Sequence, residues 1–347
     1  MKTAVVIPLK NEKEGLALLV KRLLEQVAPE DEIIFVDAGS TDGTQELIKE
    51  YASRHKNIKL FISEGAYPGK GRNIAIQHTN AQLIAQIDGG SLPEKDWLTE
   101  ICAPLKNGSA DYVTGEIRPM PVPATVLGTE IDKGMIFGLS LFGLYRRNKT
   151  GQMAGGNSAA YRRWIWEKVG GHAEWCRRGT DVLFIQKIER LQLPLRTTYA
   201  SDAIVYWQVG PTWRDVFMRK LRFQTSSFMF FRRFPELARV SLVPATLILS
   251  LSLPLYHLSY GWISLVLFLF EGGRRGVRTF RNYLHTAEKS KTWPRKVKGY
   301  LFFYIFSLET VNVIARVAGL IIGVLNFRRW REFRKKAKDY LNTETDA

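Results

Sequence analysis

Three hydrophobic runs near the start of the chain each end in acidic or amide residues, and this recurrence limits the folds open to it. The runs and the polar residues that follow them are residues 5–8 before Asn11 and Glu12, 33–36 before Asp37, and 83–87 before Asp88. Open parallel α/β sheets bind ligands at the carboxyl ends of their strands. We therefore expect these polar residues to share one crevice.

The segments between these runs carry apolar residues at helical spacing. Leu16, Leu19, Val20 and Leu23 recur three or four residues apart, which predicts an amphipathic helix after the first run. Turn-forming residues at 40–43 predict a second helix that starts near Thr44. Residues 59–62 and 72–77 continue the pattern as a strand and a helix. This alternation predicts an α/β fold with a doubly wound, mostly parallel sheet.

Composition and charge narrow the classes of partner. The chain has 347 residues, 46% of them hydrophobic, a formal net charge of +17 and a pI near 9.8. Such a basic chain favours an anionic partner, which leaves nucleic acid, an acidic membrane surface or a phosphorylated substrate. Basic residues after position 213 flank apolar blocks, as on a cytoplasmic membrane face. No aromatic and basic recognition module is evident, so we expect no nucleic-acid partner.

Two apolar blocks, 240–270 and 300–325, exceed the roughly 20 residues that cross a membrane. We therefore predict a catalytic domain at 1–235, membrane-associated helices at 236–330, and a basic then polar cytoplasmic tail at 331–347. A buried helical subdomain of a soluble protein is the alternative. The topology stays open, because either a break near Gly319 and Gly323 or an interfacial helix fits the second block. The two cysteines, Cys102 and Cys176, indicate a reducing compartment without a disulfide framework.

A glycine-rich basic segment at 69–73 is a candidate phosphate site. It lacks the spacing of a Walker loop, and it does not follow the first strand as a dinucleotide fingerprint does. Lys70 and Arg72 suit a pyrophosphate at a helix start. A solvated surface turn explains the same residues.

Taken together, the motifs resemble the family-two inverting glycosyltransferases, which have the GT-A nucleotide-sugar fold. The matching segments occur in the family's order over roughly residues 1 to 230 and lie at 5–12, 36–44, 69–73, 87–88, 92–93, 97–98 and 155–157. The resemblance implies a nucleotide-sugar donor whose base and ribose are held by the first two strand tips. On that basis the residues assigned to the nucleotide are Pro8, Lys10, Glu12 and Asp37.

The resemblance also implies a metal site. Asp88, followed by Gly89, matches the first acid of the family's Asp-any-Asp motif, which coordinates a divalent cation on the donor's phosphates. The chain departs from the motif at Gly90, where the second acid is expected. We predict Mg²⁺ or Mn²⁺ bound through Asp88, with Lys70 or Arg72 supplying part of the missing positive charge.

The same resemblance assigns the chemistry to a later segment. Asp181, in the sequence Gly179-Thr180-Asp181, matches the family's catalytic base, although an N-cap role explains an aspartate there equally well. Glu174 is the reserve candidate. Gly156 and Asn157 match the acceptor-side loop. Residues 219–223 lie where the family's processive polymerases carry Gln-any-any-Arg-Trp, but the Gln and the Trp are absent. Arg219 and Arg222 either meet lipid or donor phosphates or form a solvated face.

These assignments predict a membrane-bound enzyme on the cytoplasmic face. It transfers one sugar from a UDP- or GDP-sugar to a lipid or lipid-linked acceptor, such as polyprenyl-phosphate or a polyprenyl-linked glycan. A polysaccharide synthase is the alternative within enzymes. A non-catalytic membrane scaffold that retains the sugar-nucleotide fold is the alternative from another class.

Overall fold

The computed structural model describes residues 1–126, 128–142, 156–208, 210, 212–230, 261–287 and 293–343. Its first half alternates strands and helices. These elements are β1 (Thr3–Leu9), α1 (Lys13–Leu24), β2 (Glu32–Asp37), α2 (Thr44–Arg54), β3 (Ile58–Ile62), α3 (Pro68–Gln77), β4 (Leu83–Gln86), β5 (Ser91–Pro93) and α4 (Trp97–Lys106). The predicted strands and helices of this region are therefore confirmed, with ends shifted by a few residues.

Strands and short helices continue the chain up to the long C-terminal helices. They are β6 (Tyr112–Pro119), β7 (Pro123–Val126), β8 (Thr129–Asp132), α5 (Lys133–Phe142), β9 (Ala159–Arg162), α6 (Arg163–Val169), α7 (Thr180–Arg190), β10 (Thr197–Trp207) and α8 (Trp213–Phe230). Three more helices follow among the described residues, at Gly261–Thr286, Arg295–Leu325 and Phe327–Asn342.

Within the described residues the main sheet has the strand order β3-β2-β1-β4-β9-β6-β10-β5. The strands β3, β2, β1 and β4 are parallel, whereas β9 pairs antiparallel with β4 and β6, and β10 pairs antiparallel with β5. The prediction of a mostly parallel sheet was therefore wrong for the second half, and the sheet is mixed. The repeating strand and helix pattern of the first half fixes parallel pairing through crossover helices. No comparable local pattern sets the direction of the later strands.

Helices on both faces of this sheet bury its apolar side chains. Leu16, Leu19, Val20 and Leu23 of α1 are all at most 1% exposed, which confirms the predicted apolar stripe. The register places Leu9 beside Asp37, so the ends of β1 and β2 lie at the same edge. This edge carries the candidate site.

The chain divides into two compact units. One contains residues within Met1–Arg118, Arg146–Gln208 and Lys336–Ala347, and the other contains residues within Pro119–Tyr145 and Val209–Lys335. The first unit holds the main sheet. The second contains α5, α8 and most of the C-terminal helical segment, with a buried apolar cluster of its own that includes Ile136, Val216 and Leu301. The predicted domain boundaries at 235 and 330 stay a prediction.

No helix among the described residues has both the length and the apolar character required to cross a membrane. The second apolar block forms one continuous helix, Arg295–Leu325, without the break near Gly319 and Gly323 that the sequence allowed. Its Glu309 is buried and accepts a hydrogen bond from the Thr279 hydroxyl at 2.7 Å. Residues 240–260 of the first block lie outside the described residues.

Candidate active site

The corners that follow β1 and β2 are tied together by hydrogen bonds. Asn11 adopts a left-handed conformation with φ of 55°, its N–H donates to Ser40 Oγ at 2.8 Å, and its Oδ1 accepts from the Thr41 N–H at 2.9 Å. The Glu12 N–H donates to Thr44 Oγ1 at 3.0 Å. These bonds fix where the Glu12 side chain leaves the β1 corner.

Asp37 organises the turn between β2 and α2. Its Oδ1 accepts from the Gly39 N–H at 2.9 Å, the Ser40 N–H at 2.8 Å and Gln45 Nε2 at 2.7 Å. Its Oδ2 accepts from the Ser40 hydroxyl. Because an ionised carboxylate has about four acceptor positions, the turn itself uses most of them. The predicted contact of Asp37 with the nucleotide stays a prediction.

The other two residues assigned to the nucleotide lie at the end of β1. Pro8 is half-buried, and its carbonyl accepts from the Gly89 N–H at 3.4 Å, which joins the β1 and β4 ends. Lys10 is exposed. Both therefore lie at the predicted edge of the sheet, and their role toward a nucleotide stays a prediction.

The glycine-rich segment forms the first turns of α3 and not a free surface loop. A Cβ placed on Gly71 would lie 2.9 Å from Pro8 Cβ, so only glycine lets α3 approach the end of β1 this closely. Arg72 is 3% exposed, whereas Lys70 is exposed. Residues two apart on a helix point in different directions. The structure thus brings Arg72 into the site and leaves Lys70 at the surface.

Arg72, Asp88, Gly156 and Asp181 form one connected group. Arg72 Nη2 donates to Asp88 Oδ1 at 2.7 Å and to the Gly156 carbonyl at 3.2 Å. The Gly156 N–H donates to Asp181 Oδ2 at 3.1 Å. A Cβ on Gly156 would lie 2.9 Å from Arg72 Nη2 and 3.3 Å from Asp181 Cβ, so a side chain here would crowd both residues. Arg72 is therefore bonded directly to Asp88 and linked to Asp181 through the backbone of Gly156.

The Asp88 carboxyl lies among groups that oppose its ionisation. Burial raises the pKa of Asp88, the nearby Arg72 guanidinium acts in the opposite direction, and the Asp181 charge raises it further. Its side chain nevertheless keeps 42% of its surface accessible. An added positive charge on that open side would favour the ionised carboxylate.

Asn157 positions the segment that carries Asp88. Its Oδ1 accepts from the Asp88 N–H at 3.0 Å and from Ser91 Oγ at 2.9 Å. The Ser91 N–H donates to the Asp88 carbonyl at 3.1 Å, so Gly89 and Gly90 occupy the two central positions of a turn. A contact between Asn157 and an acceptor stays a prediction, as does that of Gly156. Gly155 lies outside the described residues.

Asp181 does not cap the helix that follows it. The helix α7 begins at Thr180 after an N-cap glycine, Gly179 with φ of 79°, and no side chain caps it by a hydrogen bond. Asp181 is a half-buried residue of the first turn, and its Oδ2 binds the Gly156 amide. The structural explanation weighed against a catalytic role for Asp181 is thereby removed.

A polar network behind Arg72 joins Asn73 to Glu174, the reserve candidate for the base, and to His172, which was not predicted as part of the site. Asn73 Nδ2 donates to the His172 carbonyl at 2.9 Å and to Glu174 Oε1 at 3.0 Å, and Asn73 Oδ1 accepts from Trp166 Nε1 at 2.9 Å. Burial lowers the pKa of His172 well below its usual value, and Arg72 acts in the same direction, so both favour the neutral ring. Asn73 belongs to the glycine-rich motif and was recognisable there. His172 itself belongs to no motif that pointed to the site.

Arg219 and Arg222 belong to the second compact unit. Both lie on α8, where Arg219 is half-buried and Arg222 is exposed. The choice between phosphate contact and a solvated face stays open for both residues.

The donor atoms at this edge fit a divalent cation that a ligand's phosphates complete. The described residues contain no group of three or more His, Cys, Asp or Glu that could hold a metal ion. Mg²⁺ is usually bound through one or two carboxylates together with substrate phosphates. The accessible Asp88 carboxylate satisfies that requirement, and oxygen ligands suit Mn²⁺ as well.

Parts of this chain resemble a known family and known proteins. Residues 4–168 match the model of the family described as Glycosyl transferase family 2. Glycosyltransferase AglE of Haloferax volcanii is 28% identical over 120 residues, which cover 33% of this chain and 39% of AglE. The probable glycosyltransferase YdaM of Bacillus subtilis is 27% identical over 230 residues, which cover 64% of this chain and 54% of YdaM. The matches thus span less than two thirds of either relative.

A solved structure extends the comparison to the fold. The mannosyltransferase PcManGT from Pyrobaculum calidifontis, in complex with GDP-Man and Mn²⁺, superposes with a TM-score of 0.53 at 15% identity, over 93% of this chain and 87% of that chain. At this identity the likeness concerns the fold alone. The chain therefore shares the α/β fold of a glycosyltransferase, and its residues 4–168 match the family model of glycosyl transferase family 2.

Proposed function

We propose that the protein transfers one sugar from a UDP- or GDP-sugar, with inversion, to a lipid or lipid-linked acceptor such as polyprenyl-phosphate or a polyprenyl-linked glycan. The observation that carries this proposal is that Arg72 binds Asp88 directly and is linked to Asp181 through the backbone of Gly156. A buried guanidinium, an accessible carboxylate and a second carboxylate suit a diphosphate-linked sugar. They supply positive charge for the phosphates, a cation ligand and a proton acceptor.

In this proposal Asp181 is the general base. Its Oδ2 is held by the Gly156 amide, which leaves Oδ1 to take the proton of an acceptor hydroxyl, as on a polyprenyl-linked glycan. The phosphate of polyprenyl-phosphate is already ionised and needs no base. The acceptor oxygen then bonds to the anomeric carbon from the face opposite the diphosphate. The bond from that carbon to the diphosphate oxygen breaks, and the electron pair leaves with the nucleoside diphosphate. One such displacement inverts the anomeric centre.

Arg72 stabilises the departing group. Its guanidinium is almost fully buried, and a charge in such surroundings interacts more strongly with a phosphate than one in water does. A Mg²⁺ or Mn²⁺ ion at Asp88 would neutralise further charge on the diphosphate when bound. PcManGT, which shares the fold, was solved with GDP-Man and Mn²⁺, in agreement with such a donor and cation.

We place the enzyme at the cytoplasmic face of a membrane, where a lipid acceptor is held. Support comes from the helix Phe327–Asn342, whose exposed cations favour an anionic lipid surface by about 1 kcal/mol each. These cations are Arg328, Arg329, Arg331, Arg334, Lys335, Lys336 and Lys338. Holding the enzyme and its acceptor on one surface raises the chance of a productive encounter.

A donor panel tests the proposal. Release of UDP or GDP is measured from UDP- and GDP-sugars with Mg²⁺, Mn²⁺ or chelator, and with or without bacterial lipid extracts. We expect one donor to be consumed faster when lipid is present, with the sugar recovered in the lipid fraction. Donor binding without release under any condition would favour the non-catalytic scaffold. A growing polymer in place of a single transfer would favour the polysaccharide synthase.

A further inference from the structure

The carboxylate of Glu12 occupies the space beside Gly90, where the family's second metal-binding acid is missing. A Cβ built on Gly90 would lie 3.0 Å from Glu12 Oε1, 3.0 Å from Oε2 and 3.2 Å from the carboxyl carbon. The chain therefore lacks an acidic side chain at position 90 but has an acidic group in contact with that position. The group comes from the end of a different strand.

The β1 corner and the Glu12 side chain fill the space beside both glycines of the turn. A Cβ on Gly89 would lie 2.5 Å from Leu9 Cβ and 3.4 Å from Glu12 Cγ. A side chain at either position would displace the β1 corner or the Glu12 side chain. The Glu12 backbone is in turn held by its hydrogen bond to Thr44 Oγ1 at 3.0 Å. The two glycines and the glutamate thus form one complementary arrangement.

Glu12 is placed next to the turn that begins at Asp88. The 3.1 Å bond between the Ser91 N–H and the Asp88 carbonyl closes this turn, so position 90 is two residues from Asp88 along a tight bend. Carboxylates from two strand ends therefore approach the same turn. Mg²⁺ and Mn²⁺ prefer oxygen ligands and commonly take one or two carboxylates besides phosphates.

A second observation points to an anionic ligand at the same place. Arg72 is 3% exposed, and its Nε has no hydrogen-bond partner among the described residues, although Nη2 of the same guanidinium binds Asp88. A buried donor without a partner costs about 1–3 kcal/mol. A phosphate oxygen would satisfy it.

We propose that Glu12 is the second protein carboxylate for the divalent cation and takes the place of the acid missing at position 90. This inference rests on the proposed function, because the cation is the one that the donor's diphosphate completes. It changes the role assigned to Glu12 from the sequence, where the residue was grouped with those that hold the base and ribose. With Glu12 in this role, the chain has Gly90 in place of the second acid of the Asp-any-Asp motif and still offers two carboxylates, Glu12 and Asp88, to the cation.

Substitutions at Glu12 and Gly90, singly and together, test this assignment. Binding of Mn²⁺ is followed by electron paramagnetic resonance, with Mn²⁺ alone and with UDP or GDP added. Glu12→Gln keeps the size of the side chain and removes its charge, and we expect Mn²⁺ affinity to fall on the order of tenfold or more. Gly90→Asp alone is expected to lose affinity as well, because the new side chain meets Glu12. The double variant Glu12→Ala with Gly90→Asp should recover most of it.

Glu14→Gln is the matched control. Glu14 is an exposed acid in the first turn of α1, the helix that begins directly after Glu12. The Glu14→Gln change therefore removes one negative charge nearby without altering the contact between Glu12 and Gly90. We expect less than about a twofold change in Mn²⁺ affinity, since exposed charges are largely screened. Circular dichroism and thermal melting show whether each variant is folded.

The outcomes separate this inference from the proposed function. The role of Glu12 is overturned if Glu12→Gln binds Mn²⁺ as tightly as the wild type, or if the double variant binds Mn²⁺ no more tightly than Gly90→Asp. Neither result contradicts the proposed sugar transfer. Sugar transfer without any Mn²⁺ or Mg²⁺ binding also overturns it and leaves the proposed function intact. Absence of sugar transfer from every donor, with Mn²⁺ binding that still depends on Glu12, contradicts the proposed function alone.

Discussion

Replacing Asp181 by Asn removes the proposed base with little change in shape. The Asn side chain still offers an oxygen to the Gly156 N–H, which lies 3.1 Å from Asp181 Oδ2. A hydrogen bond to a charged group is worth about 1.5–3 kcal/mol, and one between neutral groups about 0.5–1.5 kcal/mol. We therefore expect the free energy of unfolding to fall by roughly 1 kcal/mol, which leaves the fold intact.

The expected effect on the rate is much larger. A positioned general base contributes about 10²- to 10⁴-fold. This range corresponds to an increase of roughly 3–5 kcal/mol in the activation free energy. An amide cannot take the acceptor proton, so kcat should fall by that factor when the acceptor is saturating.

The affinity for the donor should rise or stay unchanged in Asp181→Asn. The charge of Asp181 is one of the causes that raise the pKa of Asp88, after burial itself. Asp181→Asn removes that cause, so the pKa of Asp88 falls and a larger fraction of Asp88 is ionised at a given pH. Affinity for Mn²⁺ with UDP or GDP should therefore be unchanged or higher, and it should persist to lower pH than in the wild type.

The assay combines single-turnover transfer with calorimetric titration of Mn²⁺ and the nucleoside diphosphate. Glu174→Gln serves as the control, because Glu174 is exposed and accepts from Asn73 Nδ2 at 3.0 Å, and we expect less than about a tenfold loss of rate. Full activity of Asp181→Asn with unchanged donor binding would refute the assignment. A large loss in Glu174→Gln alone would move the base to that residue.

Two structural predictions accompany this one. Asp111→Asn should lower the free energy of unfolding by about 2 kcal/mol at neutral pH in urea titrations, because hydrogen bonds from Arg196 hold the pKa of the buried Asp111 below its usual value. A lowered pKa means that this stability is present above the unfolded-state pKa and is lost as pH falls through the folded-state pKa, so an equal difference at all pH values would contradict it. Gly71→Ala should cost about 1–3 kcal/mol, since its Cβ would lie 2.9 Å from Pro8 Cβ. Gly15→Ala is the control, with no atom within 4 Å of its Cβ, and equal melting temperatures for the two variants would refute the packing argument.

Much of the first half of the fold was predictable because its signals are local. The apolar stripe of α1 and the runs that became β1, β2 and β4 are set by spacings of two to four residues. The ordered motifs also located Arg72, Asp88 and Asp181. The antiparallel half of the sheet carried no such pattern, because it depends on how distant strands meet.

Chemical identity alone also left the roles of several residues undecided. Asp181 was equally suited to capping α7 and to acting as a base, and only its bond to Gly156 removed the first role. Asn73 reaches the His172 carbonyl across a separation of 99 residues. No pattern along the chain reports contacts of that range.

The sequence by itself determined the alternating strands and helices, the edge at which polar residues gather, and the family that the motifs resemble. Tertiary structure alone decided that Lys70 faces solvent while Arg72 is buried, and that Glu12 lies against Gly90. The physical reason is the sequence separation over which each signal acts. Periodicity records which face of an element is buried, whereas the neighbours of a side chain depend on which elements pack against that face.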